Sequence, residues 1–573
     1  MKALRSAFPP SSPKEMSARG WDCADVVFFS GDAYVDHPAF GAAVIVRTLE
    51  SIGLRVAIVP QPNWTDDLRD FRKFGPPRLF FAVSAGAMDS MVNRYTANKR
   101  TRSDDAYTPD ARPGARPDRA ATVYVRILKR LYPQIPVVAG GIEASLRRFT
   151  HYDFWDDALR PPFSIDSGAD YLIYGQGERA VKELVGRLKA GADMFDLPQT
   201  AFVVPKSAAG RFAESALTLN SHEQCCADAD KFGANFRAIE TESNSAAAKR
   251  LLQACGELVV VVNPPYPAAA AEELDAIHDL PFARRPHPRY ADKRIPAHEM
   301  IKHSITLHRG CFGGCSFCTI SAHQGKFISS RSPASVLREV DAIAAMPDFR
   351  GHISDLGGPA ANMYMTGGHR AELCLSCRRP SCLFPRICRN LNVDHSPLTE
   401  LYAEVRRHPA VRKVTIGSGI RYDMFLTGEG FIDEAGRRYF ETLVKHHVSG
   451  RLKVAPEHSS PAVLQMVRKP SFDLFVRLKK EFDEINRRLD LRQQLIPYFV
   501  SCLPGCADED MRRLAAEARR LRCCPEQTQC FTPTPMTLAS TVFYTGKDPY
   551  SGKRVRVVKS AEGRKRQHLL IKN

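Results

Sequence analysis

The sequence contains no apolar run long enough to cross a bilayer. A membrane-spanning helix needs about twenty consecutive, mostly apolar residues, and no stretch of this chain approaches that length. The first residues, MKALRSAFPPSSPKEM, also lack the apolar core of a secretory signal. We therefore expect a cytoplasmic protein that has no membrane partner.

Acidic residues are fewer than basic ones. Asp and Glu number 63 against 81 Lys and Arg, which gives a formal net charge of +18. An excess of positive charge attracts phosphate, so nucleic acid is one candidate partner. Solvated basic surfaces explain the same excess, because the charge is spread along the chain apart from a basic C-terminal tail. No separate RNA-binding domain supports the first interpretation.

The length of the chain indicates the number of domains, and its cysteine content indicates how the thiols are used. A chain of 573 residues exceeds a single hydrophobic core, so we expect two or three domains. Its sixteen cysteines fit reduced thiols and metal or cluster ligands better than structural disulfides, given the inferred compartment.

The N-terminal part of the chain alternates short apolar runs with helical stretches. Runs such as ADVVFFS at 24–30 are short and fully apolar, as buried parallel strands are. We predict an α/β fold that begins with a doubly wound, Rossmann-like parallel sheet over residues 21–205. Residues 1–20 are expected to form a disordered leader. The polar stretch 97–119 is expected to be a long loop within this domain.

The rest of the chain is predicted to contain a second α/β domain. Residues 206–300 hold one strand candidate between Pro- and Ala-rich segments, and we interpret them as a linker. From residue 301 the alternation resumes, with strand candidates that begin near residues 304, 351, 412, 451, 494 and 526. Six such units predict a partial (β/α)6 barrel over 301–546. Residues 547–573 are expected to form a basic, mobile tail.

A loop of three closely spaced cysteines follows the first strand of this second domain. Cys311, Cys315 and Cys318 have the spacing C-x3-C-x2-C. Three thiolates hold three corners of a four-iron cluster, which normally has four Cys ligands, so one iron is left open. Gly313 and Gly314 let the loop turn tightly. A zinc site is the alternative, but zinc prefers four ligands. The spacing is the signature of radical SAM enzymes, in which S-adenosylmethionine (SAM) binds the open iron.

Further candidate residues lie where the next predicted strands end. In a (β/α) barrel, the loops at the carboxyl ends of the strands build the active site. Glycine backbone there could hold the amino group of SAM, and polar side chains could hold its ribose hydroxyls and carboxylate. These candidates are Gly357, Gly358, Ser418, Arg421 and Glu457.

Each of these candidates has an alternative interpretation. Two glycines also occur in an ordinary strand-to-loop turn, and Pro359 stands where radical SAM enzymes usually have Glu. Arg421 and Glu457 could instead form a structural ion pair. His458 could be an acid–base group, although a single histidine is more often structural.

A second group of four cysteines lies in an insertion at 370–390. Their spacing is C-x2-C-x4-C-x5-C, at Cys374, Cys377, Cys382 and Cys388. Four thiolates complete either a structural zinc site or a fully ligated auxiliary iron–sulfur cluster. The spacing does not separate these two alternatives, and absence of any metal is a third.

The chain resembles the YgiQ family of radical SAM proteins from about residue 20 to residue 550. The resemblance rests on long, unusual segments: GDAYVDHPAFG, AGGIEASLRR, HRGCFGGCSFCTISAHQGKFISSRS, SDLGGPAANMY, NLNVDH, KVAPEH and FTPTPMTLAST. It implies a [4Fe–4S] cluster on Cys311, Cys315 and Cys318, with SAM as cosubstrate and Phe317 against the adenine. The implied reaction is reductive cleavage of SAM to a 5′-deoxyadenosyl radical, which abstracts hydrogen from a substrate. An electron donor such as flavodoxin or ferredoxin is implied as a partner.

The N-terminal domain is similar to the cobalamin-binding domains that precede many radical SAM barrels. Proteins with a histidine ligand to cobalt carry D-x-H-x-x-G, whereas here Asp36 directly precedes His37 and Gly41 comes one position late. The motif is broken, so cobalamin is not expected.

The substrate is not indicated by the sequence. Leu503-Pro504-Gly505 resembles the Phe-Pro-Gly turn of radical SAM methylthiotransferases, which favours RNA modification. A small molecule or a peptide is an equally good candidate. From a different class, a non-catalytic iron–sulfur sensor or electron-transfer protein is the alternative, although such a protein needs no SAM pocket.

Overall fold

The computed structural model describes residues 8–523 and 526–572. The chain divides into two compact units. Unit 1 comprises Met1–Ile239, Ala247–Pro267 and Ile277–Lys302, and unit 2 comprises Glu240–Ala246, Ala268–Ala276 and His303–Asn573. Within the described ranges, no helix is both long enough and apolar enough to span a bilayer.

The described residues of unit 1 form thirteen strands, nine of which make one sheet. The strands are β1 Val26–Ser30, β2 Val35–Asp36, β3 Val56–Pro60, β4 Phe80–Ser84, β5 Val137–Gly140, β6 His151–Asp153, β7 Ala158–Arg160, β8 Tyr171–Ile173, β9 Thr200–Pro205, β10 Ala216–Thr218, β11 Arg250–Cys255, β12 Leu258–Val262 and β13 Arg285–Pro286. The order in the large sheet is β10-β11-β12-β9-β8-β5-β4-β1-β3.

The large sheet has a parallel part and a mostly antiparallel part. Strands β3, β1, β4, β5 and β8 pair in parallel, and β1, β3 and β4 are buried along their whole length. Burial on both faces explains their unbroken apolar runs, and the parallel sheet predicted for this region is confirmed. The order changes direction between β1 and β4, since β3 lies on one side of β1 and β4 on the other.

Residues 206–300 do not form a linker. Strands β11 and β12 form an antiparallel pair, and β12 is paired antiparallel with β9, so this segment extends the sheet. The one strand candidate of this segment corresponds to β12, whereas β10 and β11 were not predicted, because the neighbouring Pro- and Ala-rich stretches resemble loops in composition. The prediction for this segment is therefore wrong in its main feature.

Residues 8–20 also differ from the predicted disordered leader. Phe8 is buried in the core of unit 1, and its ring meets the ring of His287 edge to face. A short helix, Pro13–Ser17, begins after Ser12, whose hydroxyl accepts a hydrogen bond from the amide of Glu15. Phe8 thus anchors this segment to the core of unit 1. The composition of residues 1–20 does not show that one of them is buried. Residues 1–7 lie outside the described part of the chain.

Helices connect the strands of unit 1 along the chain. The longest, Gly41–Ser51, Ala120–Leu131 and Glu178–Ala190, each bury an apolar face. The others are Arg69–Arg72, Ser90–Arg94, Gly141–Leu146, Phe163–Ser167, His222–Ala227 and Pro296–Ile301. Two further helices, Ala229–Ser243 and Ala271–His278, contain residues of both units.

Unit 2 has a strand near each of the six predicted positions. Its strands are β14 Ser304–Thr306, β15 His308–Arg309, β16 Ser329–Ser330, β17 His352–Ile353, β18 Asp355–Gly357, β19 Gly367–Gly368, β20 Leu391–Asn392, β21 Lys413–Val414, β22 Arg451–Glu457, β23 Gln494–Ser501 and β24 Gln527–Cys530. Parallel ladders join β14 to β18, β17 to β21, and β22 to β23 to β24. The mixed α/β class is confirmed, and the outline of a partial barrel stays a prediction.

The helices of unit 2 alternate with these strands. Pro333–Ala344 illustrates why they form: Ser332 caps the N-terminus, a proline opens the first turn, and Val336, Val340 and Ile343 are buried along one face. The others are Ile320–Gln324, Ala371–Leu375, Ser396–Arg407, Glu434–Thr442, Pro461–Met466, Phe472–Arg488, Asp508–Arg520, Leu538–Thr545 and Ala561–Leu570.

The C-terminal residues differ from the predicted mobile tail. Helix Ala561–Leu570 is packed in unit 2, with Arg564 and Gln567 buried. The Gln567 amide donates to the carbonyl oxygen of Cys506 at 3.1 Å, and Arg564 donates to the carbonyl oxygen of Phe531. The basic composition of this segment predicted solvation, but one buried face holds it in place.

Candidate cluster and cofactor site

The three-cysteine loop is held by three distant segments of unit 2. It follows β15, which pairs antiparallel with β16 and closes the loop at its base. The amide of Cys311 donates to the carbonyl oxygen of Gly325 at 3.1 Å. The amide of Ser316 donates to the carbonyl oxygen of Val467 at 3.1 Å, and its own carbonyl oxygen accepts from Ala539 at 2.9 Å. Backbone hydrogen bonds from these segments therefore help to fix the loop in position.

Both glycines of this loop are required by close neighbours. Gly314 has a φ of +61°, and a Cβ at this position would overlap the carbonyl oxygen of Pro380. A Cβ at Gly313 would lie 2.6 Å from Nη1 of Arg421. Because these two residues have no side chain, Arg421 and the four-cysteine insertion can pack directly against the backbone of the loop.

Arg421 lies against the loop and is tied to a carboxylate. Its Nη1 donates to Sγ of Cys315 at 3.1 Å, and its Nε donates to Oδ1 of Asp423 at 2.9 Å. Both side chains are almost fully buried. Burial opposes the charge on each, yet their mutual attraction raises the pKa of Arg421 and keeps the pKa of Asp423 below its usual value. A fixed positive charge therefore faces a thiol.

Glu457 forms a second buried ion pair, and its partner is Lys469. The Lys469 amino group lies 3.3 Å from Oε1 of Glu457. The alternative pairing of Glu457 with Arg421 is thus wrong, because Arg421 is bound to Asp423. Glu457 has a φ of +67°, and the pairing of β22 with β23 is irregular between Val454 and Glu457. A bulge of this kind re-aims a side chain at a strand end.

Lys469 was not among the residues predicted from the sequence. It follows helix Pro461–Met466, and no motif or periodicity marks it as functional. Its charge nevertheless acts on the loop: burial raises the pKa of Cys311, and Lys469 is one of the groups that oppose this rise. Only its burial next to Glu457 identifies it as part of the site.

The thiols of the loop affect one another. Burial, followed by the neighbouring Cys315, raises the pKa of Cys311. Burial, followed by Cys315 and Cys311, raises the pKa of Cys318 to about 12. These mutual effects mean that the three thiols lie close together. Each must lose its proton before it can bind a metal, so loading of the loop releases protons.

Gly357, Gly358 and Ser418 lie at neighbouring strand ends. A Cβ at Gly357 would lie 2.7 Å from Oγ of Ser418, and one at Gly358 would lie 2.5 Å from Nε2 of His308. Asp355 accepts hydrogen bonds from the amides of Gly417 and Ser418 and from the Ser418 hydroxyl. Packing between strand ends therefore accounts for the glycines, and a role in binding SAM stays a prediction.

His458 has a structural role. It is fully buried, and its Nδ1 accepts hydrogen bonds from the amides of Ser459 and Ser460, both at 3.0 Å. Nε2 lies 3.5 Å from Sγ of Cys506. Burial lowers the pKa of His458 to about 4, so the ring is neutral at pH 7. Phe317 is half-buried within the loop, and its contact with adenine stays a prediction.

The four cysteines of the insertion lie beside the three-cysteine loop. Each is half-buried. The amide of Cys382 donates to the carbonyl oxygen of Phe312 at 3.0 Å, and the Ser381 hydroxyl donates to the carbonyl oxygen of Gly313 at 2.7 Å. Burial raises the pKa of Cys382 to about 11, while Lys326 acts against this.

The donor set fits iron and sulfur chemistry. Every cysteine in residues 8–523 and 526–572 is free. In the same ranges no group of three or more His, Cys, Asp or Glu side chains is arranged to hold a metal ion. What suits an iron–sulfur cluster is the combination of three soft thiol donors in one fixed loop with buried cations beside them, because such a cluster has a net negative charge.

The carboxyl ends of β1 and β4 in unit 1 are bound to each other. Arg116 is buried between Asp32 and Asp105, at 2.7 Å and 3.1 Å. Asp32 also accepts a hydrogen bond from the amide of Ala87 at 2.6 Å. Arg116 belongs to the polar stretch 97–119, so the long loop predicted there supplies this buried cation.

The broken cobalamin motif has a structural role in unit 1. Asp36 is fully buried, forms an ion pair with Arg47 and accepts a hydrogen bond from the amide of Ala283 at 2.8 Å. His37 is buried, and its Nδ1 accepts from the amide of Ala39 at 3.1 Å. Both side chains therefore stabilise the turn that follows β1.

Comparison with known proteins gives a family and a fold. Residues 8–304 match the family model described as Radical SAM N-terminal. A UPF0313 protein of Porphyromonas gingivalis is 56% identical, over 98% of this chain and 89% of its own length. A UPF0313 protein of Bacteroides thetaiotaomicron is 55% identical, over 95% of this chain and 90% of its own.

The solved structures with a similar fold include one that matches this chain over most of its length. It is the radical S-adenosylmethionine methyltransferase TsrM from Kitasatospora setae, with cobalamin and a [4Fe–4S] cluster bound. The match has a TM-score of 0.50 at 16% identity and covers 90% of this chain and 74% of that chain. At this identity the resemblance concerns the fold alone.

Proposed function

The chain belongs to the UPF0313 family and contains a radical SAM N-terminal region, and on this premise we propose that it cleaves S-adenosylmethionine reductively. The observation that carries the proposal is the three-cysteine loop, fixed by distant backbone groups and faced by the buried cations Arg421 and Lys469. Cys311, Cys315 and Cys318 would hold a [4Fe–4S] cluster with an open iron. This group would supply the electron for cleavage of SAM to methionine and a 5′-deoxyadenosyl radical, and that radical would take a hydrogen from the substrate.

The residues of the site have distinct roles in this proposal. Cys311, Cys315 and Cys318 hold the cluster. Arg421 donates to Cys315 at 3.1 Å and would make the bound cluster easier to reduce, because a hydrogen bond and a positive charge stabilise the added electron. Lys469 and Glu457 form the second buried pair beside the loop, and we assign them to binding the carboxylate and the ribose of SAM.

The substrate class stays open between RNA and a small molecule or peptide. An electron donor such as flavodoxin or ferredoxin supplies the electron in this proposal. A sensor or electron-transfer protein is the second candidate function, since a cluster alone would serve it. Two buried ion pairs next to the loop favour the enzyme, because a simple electron carrier needs no such lining.

The proposal is tested by incubating the anaerobically reconstituted full-length protein with SAM and dithionite or reduced flavodoxin. We expect 5′-deoxyadenosine and methionine in equal amounts, measured by mass spectrometry. Cys315→Ala should form neither product, whereas Cys226→Ser, at an exposed cysteine of unit 1, should behave as the wild type. A protein with a verified cluster that yields no 5′-deoxyadenosine under any reductant would contradict the proposal and favour the sensor or electron-transfer function.

Glu457→Gln separates SAM binding from cluster binding. The amide has the same shape but no charge, so we expect unchanged iron content and weaker binding of SAM. The measurement is the SAM-dependent change in the electron paramagnetic resonance spectrum of the reduced cluster. Glu441→Gln, at a half-buried glutamate of helix Glu434–Thr442, is the matched control. Equal SAM affinity in both variants would remove Glu457 from the cofactor site.

We also propose that unit 1 has kept the shape of a cobalamin-binding sheet without binding cobalamin. In doubly wound sheets the ligand crevice lies at the carboxyl ends of the strands where the order reverses, here between β1 and β4. The Asp32–Arg116–Asp105 network ties these loops together, and Asp36 and His37 have internal partners. Hydroxocobalamin mixed with the protein should therefore separate from it on gel filtration, and a stoichiometric complex would refute the proposal.

A further inference from the structure

The four-cysteine insertion and the three-cysteine loop are packed as one body within unit 2. Besides the two hydrogen bonds from Ser381 and Cys382, the side chain of Phe312 shares an apolar cluster with Leu383 and Leu391. Cys382 and Cys388 pack against the same cluster. The insertion is therefore not an independent surface module, since part of its core is Phe312, a residue of the loop itself.

All four thiols of the insertion line one cavity. Its volume is about 720 Å³, and its wall also includes Phe312 and Lys326. In a zinc thiolate site each sulfur lies about 2.3 Å from one ion, so four sulfurs close around a single atom. Among the described residues no such closed arrangement around one ion occurs, and the cavity has room for a larger inorganic core with four iron atoms.

The charge around the cavity has one sign. Among the described residues that line it there are no Asp and no Glu, and the basic ones are Lys326, His369, Arg370, Arg379, Arg386 and Arg389. A four-iron cluster with four thiolate ligands carries a net negative charge, which a lining of this kind compensates.

Lys326 is the most informative member of this lining. It is only 3% exposed. Its amino group lies 3.7 Å from Sγ of Cys377 and donates to the carbonyl oxygen of Arg379 at 3.0 Å. Within the described part of the chain, Lys326 has no carboxylate at ion-pair distance. A buried ammonium group needs a counter-charge, and a negatively charged cluster bound by these four cysteines would supply one.

We propose that Cys374, Cys377, Cys382 and Cys388 bind a second, fully ligated [4Fe–4S] cluster beside the three-cysteine loop, with Lys326 as its positioning cation. The second cluster has no open iron, because four thiolates occupy its four corners. The backbone bond between Cys382 and Phe312 then joins the two sites directly. This site does not depend on SAM cleavage, so it goes beyond the function proposed above.

The decisive variant lacks the cysteines of the first site. Full-length protein carrying Cys311→Ala, Cys315→Ala and Cys318→Ala is reconstituted anaerobically with iron and sulfide, and its metals are measured. We expect iron and sulfide for one four-iron cluster, and a paramagnetic signal after reduction that SAM does not change. One equivalent of zinc without iron, or no metal at all, would overturn the proposal.

The role of Lys326 has its own readout. Lys326→Gln in the same background should keep the iron content and shift the midpoint potential of the second cluster to a more negative value, because a cation near the cluster stabilises its reduced form. Arg386→Gln, at an exposed residue of the same cavity, should shift it less. Equal potentials in all three proteins would remove Lys326 from the site.

The experiments test SAM cleavage and the second cluster independently of each other. The triple variant cannot support SAM cleavage, so iron measured in it reports on the insertion alone. A wild-type protein that cleaves SAM while the triple variant binds zinc would leave the function standing and refute the second cluster. A quadruple variant, in which Ser replaces Cys374, Cys377, Cys382 and Cys388, should keep only the cluster of the three-cysteine loop. If the quadruple variant misfolds, the iron content of the triple variant still tests the second cluster.

Discussion

Individual charges beside the three-cysteine loop are neutralised by partners that are nearby in sequence or one helix away. Arg421 and Asp423 are two residues apart, and Glu457 and Lys469 are twelve apart. Burying a charge without a partner is costly, whereas a buried pair with good hydrogen bonds is tolerated. Both pairs therefore place charge next to the thiols without destabilising the unit.

Replacing Arg421 by Met tests the first pair. The substitution removes the bond to Cys315 and leaves the Asp423 carboxylate buried and unpaired, so we expect the free energy of unfolding to fall by about 3 kcal/mol or more. Denaturation by urea of the cluster-free protein measures this loss. The double variant Arg421→Met/Asp423→Asn should lose less than the single variant, since no buried charge then remains. Equal losses would contradict a strong pair.

Some residues of the site could be predicted from the sequence, and others could not. Cys311, Cys315 and Cys318 were recognisable because all three ligands occur within eight consecutive residues. Lys469 and Lys326 were not recognisable, because a lysine is exposed in most contexts and only burial marks it as unusual. The pairing of Glu457 with Arg421 was wrong for the same reason, since sequence gives the charges but not the geometry.

At the scale of elements, short strand ends carry most of the site. Each predicted strand of unit 2 was located from its apolar pattern, and the structure has a strand near each position. What the pattern did not reveal is how the loops between strands meet. Gly314 is an example: it has a φ of +61°, and its backbone lies against the carbonyl group of Pro380, in a loop far away in sequence.

Gly314→Ala tests this contact. The new methyl group would overlap the carbonyl oxygen of Pro380, so the loop and the insertion must separate. Overpacking of this kind costs about 1–3 kcal/mol, and we expect less iron to bind at the three-cysteine loop after reconstitution.

Gly419→Ala is the matched control, because a Cβ at Gly419 would meet no atom of the described residues within 4 Å. Iron content and thermal stability should be near those of the wild type in this control. Equal iron content in the two variants would show that the contact at Gly314 is dispensable.

At the scale of the whole molecule, unit 2 contains several buried neutral histidines. Burial lowers the pKa of each to about 4, and the four residues are His308, His395, His447 and His458. An unfolded histidine has a pKa near 6.5. Between about pH 6.5 and pH 4 the unfolded chain therefore binds more protons than the folded one, and stability must fall as the pH falls through this window.

His447→Gln tests the size of this effect. Nδ1 of His447 donates to the carbonyl oxygen of Val414 at 3.1 Å, a bond that an amide can replace. Each such histidine contributes a slope of up to about 1.4 kcal/mol per pH unit in the window, so the variant should lose less stability than the wild type between pH 7 and pH 5. Melting temperatures at both values measure it. His446→Gln, at the exposed neighbour, should change the slope less, and identical slopes in both variants would contradict the assignment.

The thiol donors, the family and the main parallel strands of both units could be predicted from the sequence. These features depend on residues that are close in the chain: seven cysteines in two short segments, and apolar runs that any parallel sheet requires. The nine-stranded extent of the sheet was not among them, because β10–β12 lie in a segment whose composition resembles a linker.

The folded structure was needed to show which side chains meet. It placed Arg116 between Asp32 and Asp105 at the strand ends of unit 1, and Lys326 beside Cys377 in unit 2. These contacts join residues separated by eleven to eighty-four positions. Their physical cause is burial: a charged group removed from water must find a counter-charge, and folding determines which one is within reach.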